Sequence, residues 1–442
     1  MKRLLLGLCA VVCITSCKHS NEYKTYLHNP ELFSKTVHEL NTVVMGNNFP
    51  PMVAARNYVY GAIAAYEIVA LNDPKHYTSL VGQLHGLSKI SLPAANPKVD
   101  YELAALLAYM KVGEAVTFPE GSMGTYRDSI LQIARDKGLP DDIEKASKEL
   151  ADSIGISIIR WSKKDNYLET RGAEKYTVKD IPGRWVPTPP MYASAAEPHW
   201  MEIRTMVLDS ASMFDVPPPP DYNITDKNSK YYKEVMAIKN AGDSLTAEQK
   251  HIAEFWDDNP FKMNVTGHVM YGSKKFSPSG HWMSVVGIAA KQAKSDFNET
   301  VYAFTKTGIA LFDSFIQCWY IKYKYNTVRP ETVINKYIDA NWRPYLQTPA
   351  FPEYTCGHST ISSSAAEALT NVFGENFAYT DSTELEFGIK SRSFKSFRDA
   401  AEENNWARFY GGIHFHNSCI VSTGVGKQVG RLVADRLAMK RK

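Results

Sequence analysis

Apolar residues in this chain recur at three-and-four spacing far more often than they alternate. Pro51–Leu71 is Ala-rich and amphipathic, and Asp100–Val112, Ser122–Lys137 and Asp141–Ser162 keep the same period, the last two parted by Gly138-Leu139-Pro140. Ser229–Ala241 and Thr246–Asp257 follow, the second opening on the Thr-x-x-Gln of a capping box. More helix is predicted over Gly287–Tyr325, over Ser359–Phe373 with Gly374 as its stop, and over Asn417–Leu437. Asp180–Pro190 and Pro217–Pro220 read as proline-rich loops, strand signals are scarce, and no internal repeat is present. The pattern predicts an all-α protein, a large bundle of helices packed around a central polar site.

The first residues break this pattern. Lys2 and Arg3 precede a short apolar run, Leu4–Ile14, and Ile14-Thr15-Ser16-Cys17 has the form of a lipobox. That run is too short for a mature membrane span. Residues 1–16 are therefore expected to be a lipoprotein signal peptide, with acyl chains on Cys17. Residues 17–29 are read as a tether and 30–442 as one helical domain. The expected location is the cell envelope of a bacterium, on the periplasmic face or the outer membrane, with membrane contact only through the lipid. Loss of Lys2 and Arg3 lowers the formal charge of +3 by two, to about +1, so no electrostatic case for nucleic acid exists. Cys318, Cys356 and Cys419 remain beyond Cys17, and no C-x-x-C pair points to zinc or thioredoxin chemistry.

Candidate chemistry concentrates in the last third. Val301, Phe304, Gly308, Leu311, Phe315 and Cys318 step along one helix face, and Lys322 is the next member of that series. A lysine on a buried stripe is costly unless it meets an anion. Pro330 disfavours helix at Arg329, which places that guanidinium at the helix exit. Cys356-Gly357-His358 then opens a helix whose free N–H groups can bind an oxyanion, Gly357 allowing close approach. Arg408 and His414 flank a Gly411-Gly412 bend that can turn both toward one point. Each motif alone has an ordinary explanation: a snorkelling lysine, a surface arginine pair, a core histidine. Their joint occurrence in order is the signal, and it describes three cations and two histidines around an oxyanion.

This ordered set, K-x6-RP, [S/C]GH and R-x5-H, resembles the superfamily that joins vanadium-dependent haloperoxidases to type-2 phosphatidic acid phosphatases. The similarity extends from about residue 40 to the C-terminus, with the superfamily core at about 290–442. Pro50-Pro51 with the Ala-rich helix after it, Pro182-Gly183-Arg184-Trp185, Glu254-Phe255-Trp256 and Gly280-His281-Trp282 are similar to landmarks of the bacterial haloperoxidases, iodoperoxidases above all. Pro278-Ser279-Gly280-His281 also matches the second phosphatase motif, but it precedes Lys322, and the superfamily order requires that motif after Arg-Pro. It is read as structural or as lining the entrance.

The resemblance implies vanadate as cofactor, with hydrogen peroxide and a halide, iodide favoured, as substrates. Vanadium would be ligated by His414, with Lys322, Arg329, Arg408, Cys356 and Gly357 on its oxygens and His358 as acid/base. Trp319, one turn before Lys322, and Phe351 would line the halide pocket. Dimerisation rests on the resemblance alone. The alternative is a soluble acid phosphatase with His414 as nucleophile, His358 as leaving-group acid and a phosphohistidine intermediate. A third reading is a catalytically decayed oxyanion-binding lipoprotein. Two departures from the family bear on the choice. The phosphatases carry an aspartate four residues after the nucleophile, where this chain has Ser418; that weakens the phosphatase reading, because a nucleophilic histidine needs the carboxylate, whereas one that only ligates vanadium could donate to a backbone carbonyl instead. Cys356 replaces the usual serine, and beside peroxide it is expected to oxidise and to alter peroxide tolerance. His416 is assigned a supporting or surface role.

Overall fold

A computed structural model describes residues 21–441 apart from 261 and 267, so the signal segment and Cys17 lie outside the described residues. The helices are α1 (Glu22–Leu27), α2 (Pro30–Gly46), α3 (Pro51–Asn72), α4 (Tyr101–Ala115), α5 (Gly124–Asp136), α6 (Asp141–Ser162), α7 (Tyr167–Gly172), α8 (Lys230–Asp243), α9 (Ala247–Phe255), α10 (Pro278–Ala293), α11 (Phe297–Tyr325), α12 (Pro330–Tyr337), α13 (Gly357–Phe373), α14 (Phe397–Tyr410) and α15 (His416–Arg436). The only described strands form two antiparallel ribbons, β1 (Lys262–Thr266) with β2 (Val269–Ser273) and β3 (Tyr379–Asp381) with β4 (Arg392–Phe394). The all-α expectation holds. Among the described residues no helix is long and apolar enough to cross a membrane.

Local signals set many boundaries. The Thr246 hydroxyl accepts from the Gln249 N–H while the Gln249 side chain accepts from the Thr246 N–H, which completes the capping box of α9. The helix expected to run from Gly287 to Tyr325 is instead two. Lys294 enters the left-handed region at φ 56°, ending α10, and the Asp296 carboxylate caps α11 by accepting from the Glu299 N–H at 2.8 Å. The tether reading is corrected as well. From residue 22 the chain is helical and docked: Tyr23 and Leu27 are buried, and the Tyr23 N–H donates to Lys137 O at 3.2 Å.

Helix α11 is the axis of the bundle. It is not one apolar stripe: almost every residue from Phe297 to Lys322 is buried, because α3, α10, α13 and α15 surround it. Polar groups on such a helix need partners inside. Asp313 accepts from the N–H groups of Met206, Val207 and Leu208 at 2.7 to 2.9 Å, and the Lys306 ammonium donates to the Tyr302 hydroxyl at 3.1 Å. α13 and α15 approach closely on a glycine seam. A Cβ at Gly426 would lie 2.1 Å from Thr360 O, and one at Gly430 2.5 Å from Ser364 O. That contact brings the starts of both helices to the same end of α11, where Lys322 lies.

Candidate active site

Five elements deliver the site. Asn326, left-handed at φ 50°, ends α11 just past Lys322. Arg329 is extended (ψ 150°) as N-cap of α12 because Pro330 follows it. The 351–356 loop leads into Gly357 and His358 at the start of α13. Arg408 sits in the last turn of α14, and Gly412 (φ 77°) turns the chain back so that His414 precedes α15. Lys322, Arg329, Arg408 and His414, scattered over 93 residues of sequence, are thereby buried around one point.

His414 has a definite tautomer. Its Nδ1 lies 2.8 Å from Glu353 Oε1, and that oxygen also accepts from the Phe415 N–H at 3.2 Å. An ionised carboxylate only accepts, so Nδ1 carries the proton and Nε2 presents its lone pair. Arg329 Nη1 donates to that Nε2 at 3.1 Å. The expectation of a backbone carbonyl partner, drawn from Ser418, is therefore corrected. A carboxylate does orient His414, but it comes from the loop before α13, and the argument against a nucleophilic histidine falls with it.

Two of the three cations carry unmet demand. Arg329 also donates from Nε to Phe351 O at 2.8 Å and from Nη1 to Ile413 O at 2.9 Å, while Arg408 Nη1 donates to Trp256 O at 2.6 Å. Among the described buried atoms, Arg329 Nη2, Arg408 Nε and His358 Nε2 have no hydrogen-bond partner. Lys322 differs: its ammonium donates to Pro352 O at 2.8 Å, Glu353 O at 3.1 Å and Thr355 O, so it braces the loop as well as supplying charge. Burial pushes the Lys322 ammonium down to about 8 and the Arg329 guanidinium to about 10. Buried guanidiniums with idle donors are stabilised by an anion and destabilised without one. The donor set fits a tetrahedral or trigonal-bipyramidal oxyanion set against His414 Nε2.

His358 lines the cavity together with Arg408. Burial first, then Arg408, holds its imidazole well below its usual range, so it rests neutral and able to accept a proton. Its Nε2 is 4.0 Å from Asp258 Oδ2. Behind Asp258 lies His281, the literal PSGH histidine, which does not line the entrance. It is fully buried between Asp258 Oδ1 (2.8 Å to Nδ1) and Asp381 Oδ2 (2.9 Å to Nε2), with Trp256 stacked on its ring at 4.7 Å. Burial opposes charge on His281, but the two aspartates override it and push the imidazole well above its usual range. Sequence reasoning missed Glu353, Asp258 and Asp381. The local signal was confined to Asp257-Asp258, directly after Glu254-Phe255-Trp256.

A cavity of about 390 Å³ leads to His358 and Arg408, walled mainly by apolar groups such as Pro189, Met191, Ala350 and Phe351. Phe351 faces this cavity and underlies both Lys322 and Arg329, each 4.9 Å from its ring centre. Trp319 stands behind Phe351 at 5.0 Å and donates to Ala196 O at 3.2 Å. Cys356 caps α13 without a side-chain cap bond. Burial alone would raise its thiol. A hydrogen bond with the Cys419 thiol acts the other way and lowers it. A Cβ on Gly357 would meet Trp319 at an ordinary 3.7 Å, so any need for glycine there comes from a ligand. His416 stacks on Trp406 at 4.2 Å, half-buried at the start of α15.

A family model described as the VCPO second helical-bundle domain matches residues 302–441. Among solved structures, the chain is similar to the first bacterial vanadium-dependent iodoperoxidase, at 41% identity over 93% of this chain and 98% of that chain, with a TM-score of 0.88. Its fold is also similar to a holo-type bacterial vanadium-dependent chloroperoxidase (19% identity, 88% of this chain and 93% of that chain, TM-score 0.64). The apo-type chloroperoxidase structure gives 18% identity, 88% of this chain, 94% of that chain and a TM-score of 0.62. No curated protein sequence matches the chain.

Proposed function

This chain belongs to the vanadium-dependent haloperoxidases, and from that premise we propose that it oxidises iodide with hydrogen peroxide at a vanadate held by His414, Arg329, Arg408, Lys322 and the start of α13. The observation that carries the reading is the pair of buried guanidiniums with idle donors beside a histidine whose Nδ1 is held by Glu353 and whose Nε2 is left to accept, here from Arg329 Nη1. When bound, vanadate supplies a Lewis-acid centre that activates peroxide toward attack by halide. The rest is done by the chain. Glu353 fixes His414 through Nδ1, so that Nε2 is the nitrogen that would hold the metal. Arg329 Nη2 and Arg408 Nε, both without a partner, would neutralise its oxygens by charge-assisted hydrogen bonds. Neutral His358 takes a proton from incoming peroxide at Nε2 and returns it to the departing oxygen. The apolar walls beside Phe351 favour a large, weakly hydrated halide over a strongly hydrated one.

Phosphate-ester hydrolysis is a second reading of the same pocket, favoured by one observation: the Glu353 carboxylate gives His414 the support that a nucleophilic histidine needs. We further propose that the protein is exported and anchored through acyl chains on Cys17, a reading supported by the lipobox alone. Metabolic labelling with a fatty-acid probe that persists in Cys17→Ser would remove it.

The deciding experiment is a paired assay. Purified protein is incubated with orthovanadate and tested for peroxide-dependent oxidation of iodide and bromide. In parallel, vanadate-free protein is tested on p-nitrophenyl phosphate. Iodide oxidation that requires vanadate and disappears in His414→Ala is the expected result. Ester hydrolysis inhibited by vanadate, with no halide oxidised, would establish the phosphatase instead.

A further inference from the structure

Three free cysteines, Cys318, Cys356 and Cys419, are buried around the start of α13. Two of them are neighbours across the α13–α15 seam, where Cys356 and Cys419 each perturb the other's thiol and His414 acts on Cys356 as well. The backbone explains the pairing. The Cys356 N–H donates to Ser422 Oγ at 2.8 Å, and Cys419 lies one turn before Ser422 on the same face of α15. The glycine seam at Gly426 and Gly430 holds this face tightly against α13. Cys318 is turned aside, its sulfur 3.5 Å from Thr355 Oγ1. A thiol beside the oxyanion ligand stands where hydrogen peroxide must arrive, and a second thiol is its neighbour on the helix to which the Cys356 backbone is bonded.

We propose that Cys356 and Cys419 form a peroxide-driven, reversible disulfide that closes the cofactor site when peroxide outruns halide. This regulation rests on the peroxidase reading for its supply of oxidant. In the first step the Cys356 sulfur attacks a peroxide oxygen. The S–O bond forms, the O–O bond breaks and one water leaves. In the second step the Cys419 sulfur attacks the Cys356 sulfur, displacing the S–O oxygen as a second water. Two thiols are oxidised and one peroxide is reduced by two electrons, with both thiol protons leaving in the waters. Drawing the Cys356 sulfur toward α15 shifts the cap of α13 and with it Gly357 and His358. A resolving thiol also stops oxidation at a recoverable stage, where a lone sulfenic acid would continue to sulfinic acid.

The test uses reduced, vanadate-free protein and a small molar excess of hydrogen peroxide without halide. Thiols are then alkylated under denaturing conditions and mapped by peptide mass spectrometry. The expected result is a peptide pair linked through Cys356 and Cys419, two hydrogens lighter, released by dithiothreitol. Vanadate affinity, measured by equilibrium dialysis, should fall about tenfold or more in the oxidised protein and return on reduction. Cys419→Ser and Cys419→Ala should each retain iodide oxidation but accumulate sulfinic acid at Cys356 that dithiothreitol cannot reverse. Circular dichroism confirms that each variant is folded, and two variants guard against one failing to fold. A Cys356 that stays a free thiol in the wild type would overturn the proposal. So would a bond to Cys318, or full recovery of Cys356 in both Cys419 variants. Because no halide is present, these outcomes are independent of whether the reduced enzyme oxidises iodide, which is measured separately.

Discussion

Arg329→Met separates ligand binding from folding. The guanidinium is fully buried and burial depresses it from its ordinary value to about 10. A base whose folded pKa is lowered is harder to keep protonated in the folded state, at every pH below that value. At neutral pH the penalty is about 3 kcal/mol. Methionine has similar reach and no charge, so it removes that burden. It also strips a donor from Phe351 O and Ile413 O, which lie 2.8 and 2.9 Å from Arg329, at a cost of about 1 kcal/mol or more each. The two effects offset to within about 2 kcal/mol, so the vanadate-free variant should melt within several degrees of wild type. Vanadate, by contrast, loses a charge-assisted bond from Nη2 worth about 1.5–3 kcal/mol and a counter-charge as well. Its affinity should fall by roughly 100-fold or more. Thermal unfolding with and without vanadate reads both quantities. At about 100 times the wild-type Kd, vanadate should stabilise wild type by about 2.7 kcal/mol and the variant by about 0.4 kcal/mol or less. The reasoning is refuted if the variant keeps most of the vanadate shift. It is refuted equally if the variant loses well over 3 kcal/mol without vanadate, since Arg329 would then be chiefly structural.

Glu353→Leu removes the acceptor for His414 Nδ1–H and Phe415 N–H, and turnover should drop about 10- to 100-fold; Glu353→Gln, which keeps an oxygen on both, should stay within about tenfold, and equal losses in the two variants would argue against tautomer control. His358→Ala should lower turnover by about 100- to 10,000-fold while vanadate affinity changes less than about tenfold, so a parallel collapse of binding would reassign His358 to the oxyanion cradle. Lys322 titrates at about 8, and only its protonated form attracts the oxyanion. Vanadate affinity should therefore be level below that pH and decline above it, and Lys322→Arg, which stays charged, should flatten the decline relative to wild type; superimposable pH profiles would exclude Lys322 as the titrating group.

What could be read from the chain follows how local each cause is. α6 runs from Asp141 to Ser162, as its apolar period and the Gly-Leu-Pro break before it indicate, and α9 begins where its capping box stands. α14 was invisible because Asn404, Asn405 and Arg408 are buried on it, so polar residues occupy the face that apolar ones usually mark. Arg408 is there because the helix serves the site, whereas Asn405 ties α14 to α15 by donating to Thr423 Oγ1 at 2.7 Å. The cations were legible for a related reason: a lysine next on a buried series and an arginine before proline are local facts with a costly consequence. Their partners were not. Glu353 lies 61 residues from His414, and His281 lies 23 from Asp258 and 100 from Asp381. Such pairings form only when the bundle closes, and no spacing rule contains them. The Ser418 argument shows the hazard. It looked for a carboxylate at one fixed offset, and the fold supplies the carboxylate from another loop to the same imidazole nitrogen. A histidine's chemistry is set by what meets its two nitrogens, whatever the sequence order of the groups that do so. Ligand sets can therefore be inferred from ordered motifs, whereas protonation states in this site depend on contacts that only the packed helices create.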